Sequence, residues 1–197
     1  MIEPYVKILF MGKVILGMSM SLDGYINDQN GSVEKLYPDF DEMHDSRMLI
    51  DAIKNTGAVV MGKRAYEMAT DPDWYAGNYE FQTPIFVLTH TVPKKHPKET
   101  DNLTFTFVTT GIDNAISQAR SAAGEKDVQV IGGASTFQQC LNAKLCDEVH
   151  LDIIPVLIGS GQKLFDNIDF GKIKLERVGV EMSTSIRTSI TLRLVKE

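Results

Sequence analysis

Between residues 13 and 154 the chain alternates short apolar runs with segments whose apolar residues recur every three or four positions. Lys13–Ser19, KVILGMS, is apolar on both faces and reads as a buried strand. AVVMG at 58–62, PIFVLT at 84–89, Leu103–Thr109, Val128–Ile131 and Cys146–Ile154 repeat that type. Pro84 opens its strand, where a missing N–H is tolerated. Asp39–Lys54 carries Met43, Leu49, Ile50 and Ile53 as a helical stripe. Further helices are predicted from Lys63 to the Asp71-Pro72 stop, over Ile112–Ala123, and from Ala134 onward. The tail changes period. KIKLERVGVEM and SIRTSITLRLV, within 172–196, alternate every second residue and predict an antiparallel hairpin turning at Ser183-Thr184 on a sheet edge. Strands alternating with helices, closed by a hairpin, give an α/β fold. Its sheet is mixed and mostly parallel, with helices on both faces.

Composition narrows the function classes. The 197 residues suffice for one domain with a full core, and 43% hydrophobic with 23% charged residues is ordinary for a globular chain. A net charge of -6 excludes a nucleic-acid backbone as main partner, which needs a basic stripe. No apolar run reaches the ~20 residues of a membrane span, so no membrane partner is expected. Cys140 and Cys146 have neither metal spacing nor a disulfide framework and read as reduced thiols of a cytoplasmic protein. Glu3, Lys7 and Lys13 make the first residues a poor signal peptide. With Met11 as an alternative start, residues 1–10 read as an extension and 11–197 as a single domain.

The chemistry gathers at the carboxyl ends of the parallel strands, where α/β sheets bind ligands. The Val128–Ile131 strand runs into Gly132 and Gly133, and a helix starts at Ala134, Ser135 and Thr136. Glycines leave room for a ligand against the backbone, and the first helical N–H groups lack intrahelical partners. Together they make a seat for phosphate or diphosphate. Gly62-Lys63-Arg64 and Thr89-His90-Thr91 reach the same edge, with Lys94 and Lys95 beyond. Two cations in the first turn of a helix oppose its dipole, and a bound phosphate reverses that penalty. Each cation taken alone reads better as a solvated residue, and it is the set together that points to a phosphate. Residues 21–31 form a polar loop, and 71–83 a loop carrying Trp74, Tyr75 and Tyr79, which either roof the pocket or pack in a core or dimer contact. The G-x-G-x-x-G fingerprint of the doubly wound dinucleotide fold is absent from the sequence.

SLDGYI (21–26), VVMGKRAYE (59–67), FVLT (86–89), VIGGAST (130–136) and PVLIGSGQKLF (155–165) together resemble the dihydrofolate reductase superfamily, in particular the reductase domain of riboflavin biosynthesis. The resemblance implies a dihydrofolate-reductase-like three-layer fold with a mixed sheet of about eight strands and NADPH across the strand ends. It implies that Ile131, Gly132 and Gly133 approach the diphosphate, often through a cis peptide between the glycines, with Ala134, Ser135 and Thr136 donating. Gly62, Lys63, Arg64, Thr89 and His90 would hold the adenosine 2′-phosphate and its neighbours. Ser19 and Ile26 would border the nicotinamide, and the 21–31 loop would be a mobile lid. The zinc-deaminase signature H-x-E…P-C-x-x-C is missing, so a stand-alone reductase-like domain is expected.

The chain departs from dihydrofolate reductases where their pteridine-binding carboxylate stands. That position falls near Ser46, with Asp45 beside it. Asp152, in phase with His150 and Ile154, is either a strand-end residue bonded to backbone or a pocket carboxylate that orients an aminopyrimidine or relays a proton. The expectation is an NADPH-dependent reductase acting on a small pterin- or ribosylaminopyrimidine-like heterocycle. The alternative is a non-catalytic NADPH- or nucleotide-binding protein of the same fold. The alternation of Ile186, Ile190, Leu192 and Leu194 in the hairpin predicts a homodimer through that edge.

Overall fold

The computed structural model describes residues 12–196, so the expected 1–10 extension lies outside them. The strands are β1 (Val14–Ser21), β2 (Thr56–Gly62), β3 (Ile85–Leu88), β4 (Phe105–Val108), β5 (Asp127–Ile131), β6 (Glu148–Ile154), β7 (Leu175–Met182) and β8 (Thr188–Leu194). They form one sheet in the order β4-β3-β2-β5-β1-β6-β8-β7. β1 to β6 all run parallel, β8 is antiparallel to β6, and β7 closes the edge antiparallel to β8. This is the α/β, dihydrofolate-reductase-like arrangement.

The helices are α1 (Phe40–His44), α2 (Arg47–Asn55), α3 (Lys63–Tyr66), α4 (Tyr75–Asn78), α5 (Ile112–Ala123) and α6 (Ala134–Asn142). Alternate strand residues separate two cores. Val14, Leu16, Val128 and Val130 pack with Ala115 and Ala119 of α5 and Phe137 and Leu141 of α6. Val59, Met61, Ile85 and Val87 pack on the other face with Tyr66, Tyr75 and Phe105. Each such side chain contributes about 1.5–3 kcal/mol relative to exposure. The second face does not stay apolar across the sheet. On β1, β6 and β8 it carries a polar row, with Ser19 opposite Asp152 and Asp152 opposite Ser189.

Three elements differ from the periodicity reading. The single helix over Asp39–Lys54 is two, because Ser46 is extended (φ -68°, ψ 139°) and its hydroxyl accepts from Leu49 N at 3.2 Å, starting α2 afresh. The stripe stays largely outside, with Ile50 54% exposed. The helix from Lys63 is one turn. The second tail segment enters the sheet only at Thr188, because Arg187 turns inward rather than continuing the alternation.

Candidate active site

The parallel strands bring the predicted segments to one edge. Thr89 and His90 follow β3, Gly62 to Arg64 end β2, Ile131 to Thr136 follow β5, Ser19 is near the end of β1, and Asp152 is near the end of β6. Gly62 N donates to Gly132 O at 2.9 Å, locking the β2 and β5 ends together. Gly132 has φ +64°, and a Cβ there would stand 3.1 Å from Ala65 Cβ, so glycine is needed on both counts. The Gly132–Gly133 peptide is cis. A Cβ on Gly133 would meet nothing within 4 Å, so this glycine borders open space. It is also the N-cap of α6, without a side-chain cap. The first helical rung is Phe137 N to Gly133 O at 3.1 Å, leaving the amides of Ala134, Ser135 and Thr136 ahead of the ladder. Ala134 and Thr136 turn their side chains inward, while Ser135 is exposed.

The cations are less uniform than the sequence suggested. α3 has four residues, too short for a dipole argument, and Lys63 pairs with Glu67 one turn on. Lys95 bridges Asp71 at 2.9 Å and Asp73 at 2.8 Å, away from any shared phosphate shell. Thr89 is buried, and its hydroxyl is engaged with Thr91 O and N at 2.9 and 3.2 Å. Arg64 and His90 are exposed and have no side-chain partner among the described residues.

The loop expected as a lid is strapped down. Asp23 accepts from Ile158 N at 3.1 Å and Gly159 N at 2.8 Å, Leu22 N donates to Val156 O, and Gln162 N donates to Asn27 Oδ1. The Ser21 hydroxyl and then burial act on Asp23 in opposite directions, and with the two amides the net effect holds its carboxyl below the usual range. Ile26 is 6% exposed and packs in the main core, and its amide donates to Gln162 O.

On the other side of β1 stands a constellation around Ser19 and Asp152 whose central residues, Arg187 and Asp39, sequence reasoning missed. Arg187 is 1% exposed. Its Nε and Nη2 fork onto Asp39 Oδ2 and Oδ1 at 3.0 and 2.7 Å, and Nη2 also reaches Leu36 O at 3.1 Å. Nη1 donates to Ser19 Oγ at 2.8 Å and Asp152 Oδ2 at 3.2 Å. Asp152 Oδ1 accepts from the Ser189 hydroxyl. Thr184 donates to Asp39 Oδ2 at 2.5 Å, fastening the β7–β8 turn to the segment before α1. Burial works against the Asp39 anion, but hydrogen bonds from Arg187 and Thr184 and the guanidinium charge outweigh it and hold its carboxyl below the usual range. Asp152 is thus bonded to side chains, neither to backbone nor free.

Tyr37 lies against this cluster, with the guanidinium carbon 5.5 Å from its ring centroid. Burial raises its phenol, and the Ser19 hydroxyl and Arg187 charge offset part of that rise. Burial likewise pushes up the Glu80 carboxyl, and next to it the Tyr79 hydroxyl is buried without a partner among the described residues. Tyr75, by contrast, is core, donating to Tyr66 O at 2.9 Å, and Trp74 is 47% exposed. Asp45 and Ser46 join none of this, since Asp45 is exposed and Ser46 serves as a helix cap. Ser19 and Asp152 are singled out by the sequence, but Arg187, which joins them, is a single charge inside an alternating segment, where it reads as solvent-facing.

The profile of the RibD C-terminal domain matches residues 12–186. The chain belongs to the RibD C-terminal domain family. Among relatives of this RibD C-terminal domain, the uncharacterized protein YyaP of Bacillus subtilis (strain 168) is 26% identical over 184 residues, covering 88% of this chain and 90% of YyaP. A protein of Shewanella sp. PV-4 assigned to riboflavin biosynthesis superposes with a TM-score of 0.72 at 21% identity, covering 93% of this chain and 99% of that one. Dihydrofolate reductase of Enterococcus faecalis, solved with NADP(H), superposes with a TM-score of 0.57 at 16% identity, covering 95% and 99%. The fold is therefore reductase-like. Among the described residues no group of His, Cys, Asp and Glu has metal-site geometry, and no helix is long and apolar enough to cross a membrane.

Proposed function

We propose that this RibD C-terminal domain is an NADPH-dependent reductase of a small heterocycle of pterin or ribosylaminopyrimidine type. The observation that carries the reading is Gly133, which opens onto free space at the uncapped start of α6. A dinucleotide diphosphate needs bare backbone and unpartnered amides, and both are present there. In this reading the amides of Ala134, Ser135 and Thr136 hold the diphosphate. Arg64, with His90 nearby on the same edge, holds the adenosine 2′-phosphate, which an arginine can grip with two N–H donors. Thr89 shapes the β3 turn, its hydroxyl donating to Thr91 O rather than to the phosphate, and Lys63 shares its charge with Glu67. Ser19 and Asp152 border the reacting end. When bound, the nicotinamide supplies the hydride, and the chain supplies position and electrostatics.

The test is a fluorescence titration with NADPH and NADH, followed by a screen for NADPH oxidation against pterins, ribosylaminopyrimidines and simple carbonyls. Tight NADPH binding with turnover of one class supports the reading. Binding without turnover of any compound supports the non-catalytic alternative, and no binding refutes both. The reading extends to a homodimer, through β7 and not the expected β8 residues: β8 lies between β6 and β7 with Leu194 3% exposed, whereas edge strand β7 exposes Val178, Val180 and Met182. It extends also to the cytoplasm, where the buried thiols Cys140 and Cys146 remain reduced.

A further inference from the structure

Arginine has five N–H donors and no acceptor. Arg187 makes five hydrogen bonds, to Asp39 Oδ1 and Oδ2, Leu36 O, Ser19 Oγ and Asp152 Oδ2. None of its hydrogens is left for a ligand, and at 1% exposure it touches none. Its effect is on the two half-buried groups in front of it. Ser19 Oγ must accept from Nη1, so the Ser19 hydrogen points away from the guanidinium, where the Tyr37 hydroxyl and a ligand compete for it. Asp152, 25% exposed in its side chain, keeps lone pairs beyond those taken by Arg187 and Ser189. Ser19 and Asp152 are directly opposed on neighbouring strands, so a hydroxyl donor and a carboxylate acceptor sit side by side at the strand ends.

We propose that Ser19 and Asp152 form a donor–acceptor pair, oriented by the saturated Arg187, that reads an amide edge in which a C=O and an N–H lie side by side. This deepens the reductase reading and rests on it. Ser19 donates to the amide oxygen and Asp152 accepts from the amide nitrogen. Two ligand groups carry that edge here, the nicotinamide carboxamide and the lactam of a pterin or uracil ring. Arg187 is the positioning residue, because its fork fixes both partners without contacting the ligand. The same saturation means that the cluster offers no free cation, so a phosphate is not recognised at this end of the site.

The experiment measures four affinities on the full chain. NADPH is compared with its 3-acetylpyridine analogue, which lacks the amide nitrogen, and lumazine with 1,3-dimethyllumazine, which lacks both ring N–H groups. Each is titrated against wild type, Ser19→Ala, Asp152→Asn and Arg187→Lys. Wild type should prefer the intact amide in one pair by about tenfold or more, as expected for a hydrogen bond to a charged acceptor. Preference in the cofactor pair assigns the site to nicotinamide, and preference in the lumazine pair assigns it to substrate. Asp152→Asn and Ser19→Ala should erase that preference. Arg187→Lys should erase it too, while binding of adenosine 2′,5′-bisphosphate at the other end is unchanged, which a general loosening of the fold would not spare. If wild type separates neither pair, or Asp152→Asn retains the preference, the proposal is overturned. Failure of adenosine 2′,5′-bisphosphate to bind wild type would instead sink the cofactor reading, and the lumazine pair would still decide the Ser19–Asp152 pair. Should Arg187→Lys fail to fold, the Ser19 and Asp152 variants decide alone.

Discussion

Replacing Arg187 by leucine removes the cation and leaves Asp39, 6% exposed, without its fork. Breaking a buried ion pair by deleting one partner costs ~3–5 kcal/mol, because the other charge stays desolvated. For a chain of this size 1 kcal/mol moves Tm by about 2–4 °C, so the expected loss is roughly 6–20 °C. The pH dependence has a definite sign. In the wild type, Asp39 has a folded pKa below its unfolded value, despite burial, because of Arg187 and Thr184. It therefore adds stability that is present above about pH 4 and lost as pH falls through the lower folded value. In Arg187→Leu burial acts unopposed by the guanidinium, the neutral acid is favoured, and the deficit shrinks on acidification. Urea denaturation followed by circular dichroism at about pH 7.5 and about pH 5 measures both effects. The double variant Arg187→Leu/Asp39→Leu should regain most of the loss, since an apolar replacement of a buried pair is often neutral. A deficit under ~1 kcal/mol, the range of a surface pair, or one equal at both pH values, would refute the argument.

Gly133→Val should fold with stability within ~1 kcal/mol of wild type, since its Cβ meets nothing within 4 Å, yet lose NADPH binding by about tenfold or more; unchanged affinity by fluorescence would count against the diphosphate seat. Gly62→Ala should cost ~1–3 kcal/mol in urea denaturation, because its Cβ would stand 2.5 Å from Thr136 Oγ1 at the start of α6. Arg64→Ala should weaken NADPH and leave NADH unaffected, and equal wild-type affinities for the two would remove the 2′-phosphate assignment. Sedimentation at micromolar concentration should give a dimer, which a Val180→Lys substitution on β7 dissociates; a wild-type monomer would end that proposal.

The inner parallel strands were legible because they are largely buried and carry nearly unbroken apolar runs, and the hairpin because β7 and β8 alternate. Ile112–Ala123 has the expected bounds, since its small and branched residues recur at helical spacing between Gly111 and Gly124. The glycine turn was legible because its chemistry is contiguous in the chain. The break at Ser46 was not, since a serine within a helical stripe reads either as an interior residue or as a cap, and only the fold chooses. The Arg187 cluster was not legible either. It joins residues from four separate segments, and no periodicity records which charge turns inward. Lys63 and Lys95 illustrate the converse, as runs of cations whose carboxylate partners are set by local geometry rather than by a ligand.

The Arg187–Asp39 fork spans 148 positions along the chain. The first half of the pocket therefore waits for the last stretch to leave the ribosome. A nascent chain arrested before residue 187 would leave Asp39 without its cation and the main core without Leu194, so the domain closes as a unit only once its last strand is free to pair.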